Sequence, residues 1–399
     1  MKTVGIIAEY NPFHNGHSYH IAEAKRLTGA ERAVVVMSGS FVQRGEPACA
    51  DKFTRAEWAL RGGADMVVEL PDALALSCAE RFALGGVGIL AGTGLVEAIA
   101  FGSESGDTET VLGASEASAD PALLSKLLGE GLPYPAALSA ALGIKLGPND
   151  ILGVEYARAA RTICPGMELR AVRRSGSGHS DSELGGEFSS AGAIRGALAQ
   201  CAGQTRMTPA VFDGLVRALP RFVLDGVAGM MRKGVFPATL AGLSDAALYR
   251  VRAMTDEELR ALPEISEGLE NLFREGALVS SDADELLAHV KSKRYTMARL
   301  KRSLMCALLG IDERIQSEAV KKEALYIRVL GVSSRALLSE LRGKASLPVI
   351  VRSSDRDTLP AAAAESERVS ALAHRIRALG QPYDRSCTED ISHRLIVRA

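Results

Sequence analysis

The chain has 399 residues, enough for two or three domains, each with a full core. Its 47% hydrophobic and 24% charged residues are ordinary globular composition, which excludes wholesale disorder. A net charge of -1 speaks against a general polyanion binder, yet residues 1–200 carry 17 basic and 23 acidic groups while the other 199 carry 30 and 25.

In chain order, short β-branched runs alternate with helical patterns. Strands are predicted at 4–8, 33–37, 66–70, 98–101 and 169–172. Helices are predicted between them, at 17–27, 53–61, 79–90, 121–128 and 151–162. This alternation implies βαβ units and a mostly parallel, Rossmann-like α/β sheet, with ligands beyond the carboxyl ends of the strands. From about residue 205 helix formers dominate, over 208–310, with breaks near 233–237 and 262–266. A mixed segment follows, strand-like at 326–330 and 348–351 and helical at 363–378. Three parts are expected: 1–205, 206–322 (mostly helical) and 323–399 (small and mixed α/β).

Six cysteines lie far apart, at 49, 78, 164, 201, 306 and 387. None forms a CxxC pair, so neither a zinc ribbon nor a thioredoxin-type site is supported. Scattered thiols and a start, MKTVGIIAEY, without the marks of a secretory signal fit a reducing cytoplasm. No apolar run reaches the ~18 residues that a membrane span needs. The apolar stretch 84–95 holds five glycines and reads as buried helix and turn. One Trp and 5% aromatics argue against an extensive base-stacking platform. No obligate protein partner is evident.

The most informative segment is Gly5-Ile6-Ile7-Ala8-Glu9-Tyr10-Asn11-Pro12-Phe13-His14-Asn15-Gly16-His17. A buried strand runs into a polar turn and then a helix. Asn-Pro favours a turn, and Gly16 allows close backbone approach. The helix start offers free N–H groups and a positive dipole end to an anion. His14 and His17 can converge above it, donating to phosphate oxygens and stabilising charge on a pentavalent phosphorus and its pyrophosphate leaving group. Ordinary surface histidines or metal ligands are the alternatives.

Other polar groups follow strand ends. Ser40, Gln43 and Arg44 lie in the 38–47 loop, with Arg44 the best anion candidate. Gly102 could let an adenosine approach, or serve a tight turn. Asn149 stands at the expected N-cap of the 151 helix, and capping alone would explain it. Arg173-Arg174 precede the glycine-rich Ser175-Gly176-Ser177-Gly178, which suits phosphate. Ser189-Ser190 and Arg195 open a further helix. Lys291, Lys293, Arg294, Arg299, Lys301 and Arg302 form a basic run with Tyr295 interleaved and no acid, expected on a helix. No acidic metal cluster is evident.

The His14-Asn15-Gly16-His17 string resembles the HxGH signature of the nucleotidyltransferase superfamily. Within it, the chain is similar to the bacterial tRNA(Met) cytidine acetate ligases over residues 1 to about 330. Stretches that carry the likeness include Met37–Pro47, Gly63-Ala64-Asp65, Glu69-Leu70-Pro71, Phe101-Gly102-Ser103-Glu104, Pro148-Asn149-Asp150 and Lys293-Arg294-Tyr295-Thr296. The resemblance implies a nucleotidyltransferase-like catalytic domain at 1–205 and a tRNA-binding helical one at 206–322. It implies that His14 and His17 are catalytic. The ATP site would comprise Ile7, Ala8, Glu9, Tyr10, Asn11, Pro12, Phe13, Asn15, Gly16 and His20 with them, and Gly102, Asn149, Arg174, Ser190 and Arg195. Asp150 stands where the family has a second asparagine, His179-Ser180-Asp181 where it has Tyr-His-Asp, and Gly192 where it has threonine. In a suspected tRNA enzyme, the basic run 291–302 is expected to bind phosphate backbone. The implied reaction joins acetate to ATP as acetyl-adenylate, with Mg²⁺ accompanying the ATP, and then acetylates N4 of the wobble cytidine of elongator tRNA(Met). The alternatives are an adenylyltransferase acting on a small phosphorylated acceptor and a non-catalytic RNA-binding protein with a retained nucleotide site.

Overall fold

The computed structural model describes all residues except 118, 119, 133, 175–183, 185, 267 and 399, and all of their side chains except those of 134, 135 and 389. Its strands are β1 (Thr3–Ala8), β2 (Arg32–Ser38), β3 (Phe41–Val42), β4 (Glu46–Pro47), β5 (Met66–Leu70), β6 (Ala98–Ser103), β7 (Glu168–Arg173), β8 (Ile327–Val332), β9 (Val349–Ile350) and β10 (Ile396–Val397). One sheet runs in the order β10-β8-β5-β2-β1-β6-β7, with β9 beside β8, and β3 pairs with β4 in a separate hairpin. All neighbours in the main sheet are parallel except β5 and β8.

Strand composition explains the layering. In β2, Ala33, Val35 and Met37 enter one core while Val34 and Val36 enter the other. A strand apolar on both faces is stable only with helices on both faces, as in a parallel sheet. The helices Asn15–Thr28 and Lys52–Arg61 carry the chain outward from β1 through β2 to β5, and Ala79–Gly92 returns it across the sheet to β6. The strand order therefore reverses between β1 and β6. Ligand crevices form at such a point, beyond the carboxyl ends.

Two expectations change. The strand-like runs in the last part do not build a separate small unit: β8, β9 and β10 extend the central sheet. The helical stretch after residue 205 divides between the sheet's two faces. Val211, Leu215, Val223, Leu224 and Val227 join the core on the Asn15–Thr28 side, whereas Leu243, Leu248, Leu286 and Leu304 continue the opposite core.

A buried charge network ties the last part in. Lys52, wholly buried, reaches Glu69 at 2.8 Å and Asp390 at 2.9 Å. Arg328 contacts Glu69, Glu367 and Asp390, and Arg356 joins the last two. Removing one member strands buried charge. Glu69→Leu, which takes away a partner of both Lys52 and Arg328, is expected to cost about 3–5 kcal/mol of stability, read from the urea unfolding midpoint.

Candidate active site

The Asn15–Thr28 helix is capped by imidazoles. Nδ1 of His14 accepts the Gly16 N–H at 3.1 Å, and Nδ1 of His17 accepts the His14 N–H at 3.2 Å. This is the reciprocal geometry of a capping box, built from two histidines. Because each Nδ1 is an acceptor, each neutral ring carries its proton on Nε2. The rings stack with centroids 3.7 Å apart. Burial, then Arg174 and Arg195, lowers the His14 pKa to about 3. Burial, with His14, His20 and Arg174 nearby, holds His17 well below its ordinary value. His20 is lowered to about 4, mainly by burial and then by Arg174, against a hydrogen bond to the Phe101 backbone. The site thus presents uncharged donors among guanidinium groups.

The turn before the helix holds the rings. Tyr10 lies at φ 47°, a left-handed conformation that non-glycine residues seldom adopt. Tyr10 and Phe13 are fully buried and pack edge-on with centroids 4.9 Å apart, and Tyr10 meets the His17 ring at 4.7 Å. They support the imidazoles from beneath. Asn11 is also buried; its Oδ1 accepts the Cys49 N–H at 2.8 Å, and its carbonyl accepts from Arg195 at 2.9 Å. Pro12 is buried, while Ile7, Ala8, Glu9, Asn15 and Gly16 are part-exposed. Asn15 donates to the Arg217 carbonyl at 2.8 Å.

The remaining candidates come from neighbouring elements. A Cβ on Gly102 would meet only the Arg174 side chain, at 3.8 Å, so the protein itself has no steric need for glycine there. The open space suits a ligand. Arg174 follows β7, with its pKa lowered by burial despite Glu104. Asn149 is not the N-cap: Gly147 is, and Pro148 follows it in the helix Pro148–Ile163. Asn149 instead donates through Nδ2 to Glu104 at 2.5 Å, and Glu104 also takes the backbone N–H groups of 149 and 150. The departure at Asp150 is well housed, accepting from Ser103 Oγ at 2.5 Å and Ser105 Oγ at 3.2 Å. Ser190 caps Ala191–Ala199, and a Cβ on Gly192 would fit beside it at 3.6 Å, so the missing hydroxyl leaves the helix start intact. Residues 175–178 and 179–181 lie outside the described residues.

The basic run is not one helix. Lys291 closes the helix Ala283–Val290, and Met297–Leu309 begins only after Thr296. Lys291, Lys293 and Arg294 are exposed between them. The others turn inward. Arg299 donates to the Glu264 carbonyl and lies 4.8 Å over the Tyr295 ring. Arg302 is buried against Glu264 at 2.7 Å and the Gln43 carbonyl at 3.2 Å, so it is not a surface contact. Lys301 reaches Glu46 of the β3–β4 hairpin at 2.5 Å.

Sequence reasoning missed Arg55. Fully buried, it donates to the carbonyls of Ala50 at 3.1 Å, Glu9 at 2.7 Å, Ser38 at 3.0 Å and also Gly39. It clamps the ends of β1 and β2. The available signal was a cation in a helix whose neighbours Phe53, Ala56, Trp58, Ala59 and Leu60 are almost all apolar.

Among the described residues no group of three or more His, Cys, Asp and Glu side chains could hold a metal ion. None of their helices is long and apolar enough to cross a membrane.

The lowered histidines set a pH dependence. In the unfolded chain they bind protons below about pH 6.5; in the fold, His14 does so only near 3 and His20 near 4. Their contribution to stability is therefore level above pH 6.5 and lost as pH falls towards 4. Urea titrations at stepped pH should show this slope, and His14→Gln should flatten it by up to about 1.4 kcal/mol per pH unit.

The model of the HIGH Nucleotidyl Transferase family matches residues 1–389. The chain is 35% identical over 374 residues to the tRNA(Met) cytidine acetate ligase of Acetivibrio thermocellus, covering 89% of each chain. It is 38% identical to that of Syntrophotalea carbinolica over 376 residues, covering 88% of this chain and 84% of the relative. The solved structure of Thermotoga maritima TmcAL superposes with a TM-score of 0.91 at 31% identity and full coverage of both chains. Its complex with alpha-thio ATP gives 0.89, again at 31% identity and full coverage of both. Histidine-capped helix, switch-point crevice and whole-chain likeness converge: the chain belongs to the HIGH nucleotidyl transferase family, among the tRNA(Met) cytidine acetate ligases.

Proposed function

We propose that the chain activates acetate with ATP and acetylates N4 of the wobble cytidine of elongator tRNA(Met). The observation that carries this reading is the pair of neutral, stacked imidazoles capping the helix at the β1–β6 crevice. An acetate oxygen attacks the α-phosphorus, the bond to the β-phosphate oxygen breaks, and acetyl-adenylate and pyrophosphate result. The cytidine N4 then attacks the acetyl carbonyl, AMP leaves and N4 loses a proton. Free acetate is a poor acyl donor and a cytosine amine a poor nucleophile, so the mixed anhydride supplies the driving force.

The protein's part is positioning and charge stabilisation. Nε2–H of His14 and His17 donates to phosphate oxygens as negative charge grows. Arg174 and Arg195 bring positive charge, and the helix start adds free N–H groups. Gly102 leaves room for the adenosine, beside Asn149 as held by Glu104. Mg²⁺ would enter with the triphosphate; among the described residues no cluster of His, Cys, Asp and Glu side chains stands ready to cage it. Exposed Lys291, Lys293 and Arg294 would take tRNA backbone phosphates, giving salt-dependent binding. An anticodon loop presents its base out of the duplex at low cost.

The test is incubation with ATP, labelled acetate and tRNA(Met). Acetyl transfer to tRNA is the expected outcome; AMP transfer to a small phosphorylated acceptor without acetate, or binding without turnover, would overturn the reading. His17→Ala should lower acetate-dependent ATP–pyrophosphate exchange by about a hundredfold or more while tRNA binding persists. Reversing Lys291 and Lys293 to Glu should weaken tRNA binding, measured by filter retention across a salt series, and leave the exchange reaction unchanged.

A further inference from the structure

Lys301 belongs to the basic run, yet its side chain reaches the β3–β4 hairpin beside Arg195. Its Nζ lies 2.5 Å from Glu46 Oε1, and Glu46 Oε2 lies 3.5 Å from Arg195 Nε. Arg195 in turn donates to the Asn11 carbonyl at 2.9 Å, within the turn that carries His14 and His17. A single carboxylate thus stands between a cation of the Met297–Leu309 helix and a cation of the ATP site. The hairpin is pressed onto that helix: Gly45 sits at φ 75°, and a Cβ there would fall on the backbone of Lys301 and Arg302. Arg302 also donates to the Gln43 carbonyl at 3.2 Å, a second tie between that helix and the hairpin.

Burial alone would raise the Glu46 carboxyl, but Lys301, Arg195 and Arg44 together hold it below its ordinary value, so it is ionised. An ionised carboxylate beside a polyanion site is unfavourable unless it is compensated. With Lys301 on one oxygen, the charge of Arg195 is left for the triphosphate. Without Lys301, Glu46 would neutralise Arg195.

We infer that Lys301 is a positioning residue of the ATP site, which neutralises Glu46 and so keeps Arg195 available to the triphosphate, rather than a contact for tRNA. This rests on the ligase reading only in taking ATP as the ligand. The test is equilibrium binding of alpha-thio ATP, which needs neither acetate nor tRNA. If the wild-type chain fails to bind it, the functional reading fails. If the wild-type chain binds it, Lys301→Met should weaken binding by about tenfold, the effect of one uncompensated nearby charge. Lys301→Arg should keep wild-type affinity. Adding Glu46→Gln to Lys301→Met should restore most of the lost affinity, a rescue that a merely structural defect would not give. Unchanged affinity in Lys301→Met overturns the inference, as does a loss that Glu46→Gln leaves in place.

Discussion

The proposed nucleotide site depends on two imidazole nitrogens that accept backbone N–H groups, Nδ1 of His14 from Gly16 and Nδ1 of His17 from His14. A serine or aspartate would cap the helix as well. Neither would have a second, oppositely directed N–H to offer an anionic ligand: serine has one oxygen, and the other oxygen of an aspartate only accepts. An imidazole has one, and capping through Nδ1 decides that the proton sits on Nε2. Protonating either Nδ1 would break the cap, so helix stability and donor chemistry are two consequences of the same bonds. Gly16 belongs to this arrangement, because a Cβ there would stand 2.9 Å from His14 Cε1.

The parallel strands β5, β2, β1, β6 and β7 end in carbonyl groups at one edge, where the proposed site lies. Something must satisfy these groups without blocking the crevice. Arg55 does so from below, collecting carbonyls from β1 and β2 with one buried guanidinium. Burial and the charge of Arg377 lower its pKa to about 10, still far above neutrality. Arg377, from the helix Ala361–Leu379, does the same for Ala48 and Cys49 at 2.7 and 3.1 Å. A helix near the C-terminus therefore shapes the loop facing the histidine turn. This is one physical reason for a family likeness that runs to residue 389 rather than stopping at β7.

What was legible in the sequence follows from range. The strand at 66–70 and the helices near 53–61 and 79–90 were readable because periodicity and turn chemistry act over a few residues. The HxGH turn was readable because strand, turn and helix are contiguous. The addition of β8 to β5 was not, because its antiparallel register is decided by partners more than 250 residues apart in the chain. Nor was the fate of the basic run. Whether Arg302 meets RNA or Glu264 depends on what the fold brings opposite it, and Glu264 lies 38 residues away. Asn149 illustrates a two-residue error of the same kind: Gly147 takes the cap, and Glu104, just after β6, accepts the N–H groups of 149 and 150.

Charge counting fails for the same reason. The near balance of 47 basic and 48 acidic groups averages over roles that never meet. Lys52, Arg328 and Arg356 are consumed in a network that holds the sheet edge, and Arg55 and Arg377 by backbone carbonyls. Even the apparent tRNA cluster splits, with Lys291, Lys293 and Arg294 outward and Arg299, Lys301 and Arg302 committed within the protein. The field that a polyanion meets is made by what each cation keeps once its partners within the fold are counted. At the proposed ATP site this is set pair by pair: Glu46 draws on Lys301 as well as on Arg195, and on the reading proposed above each pairing decides how much charge remains for the ligand.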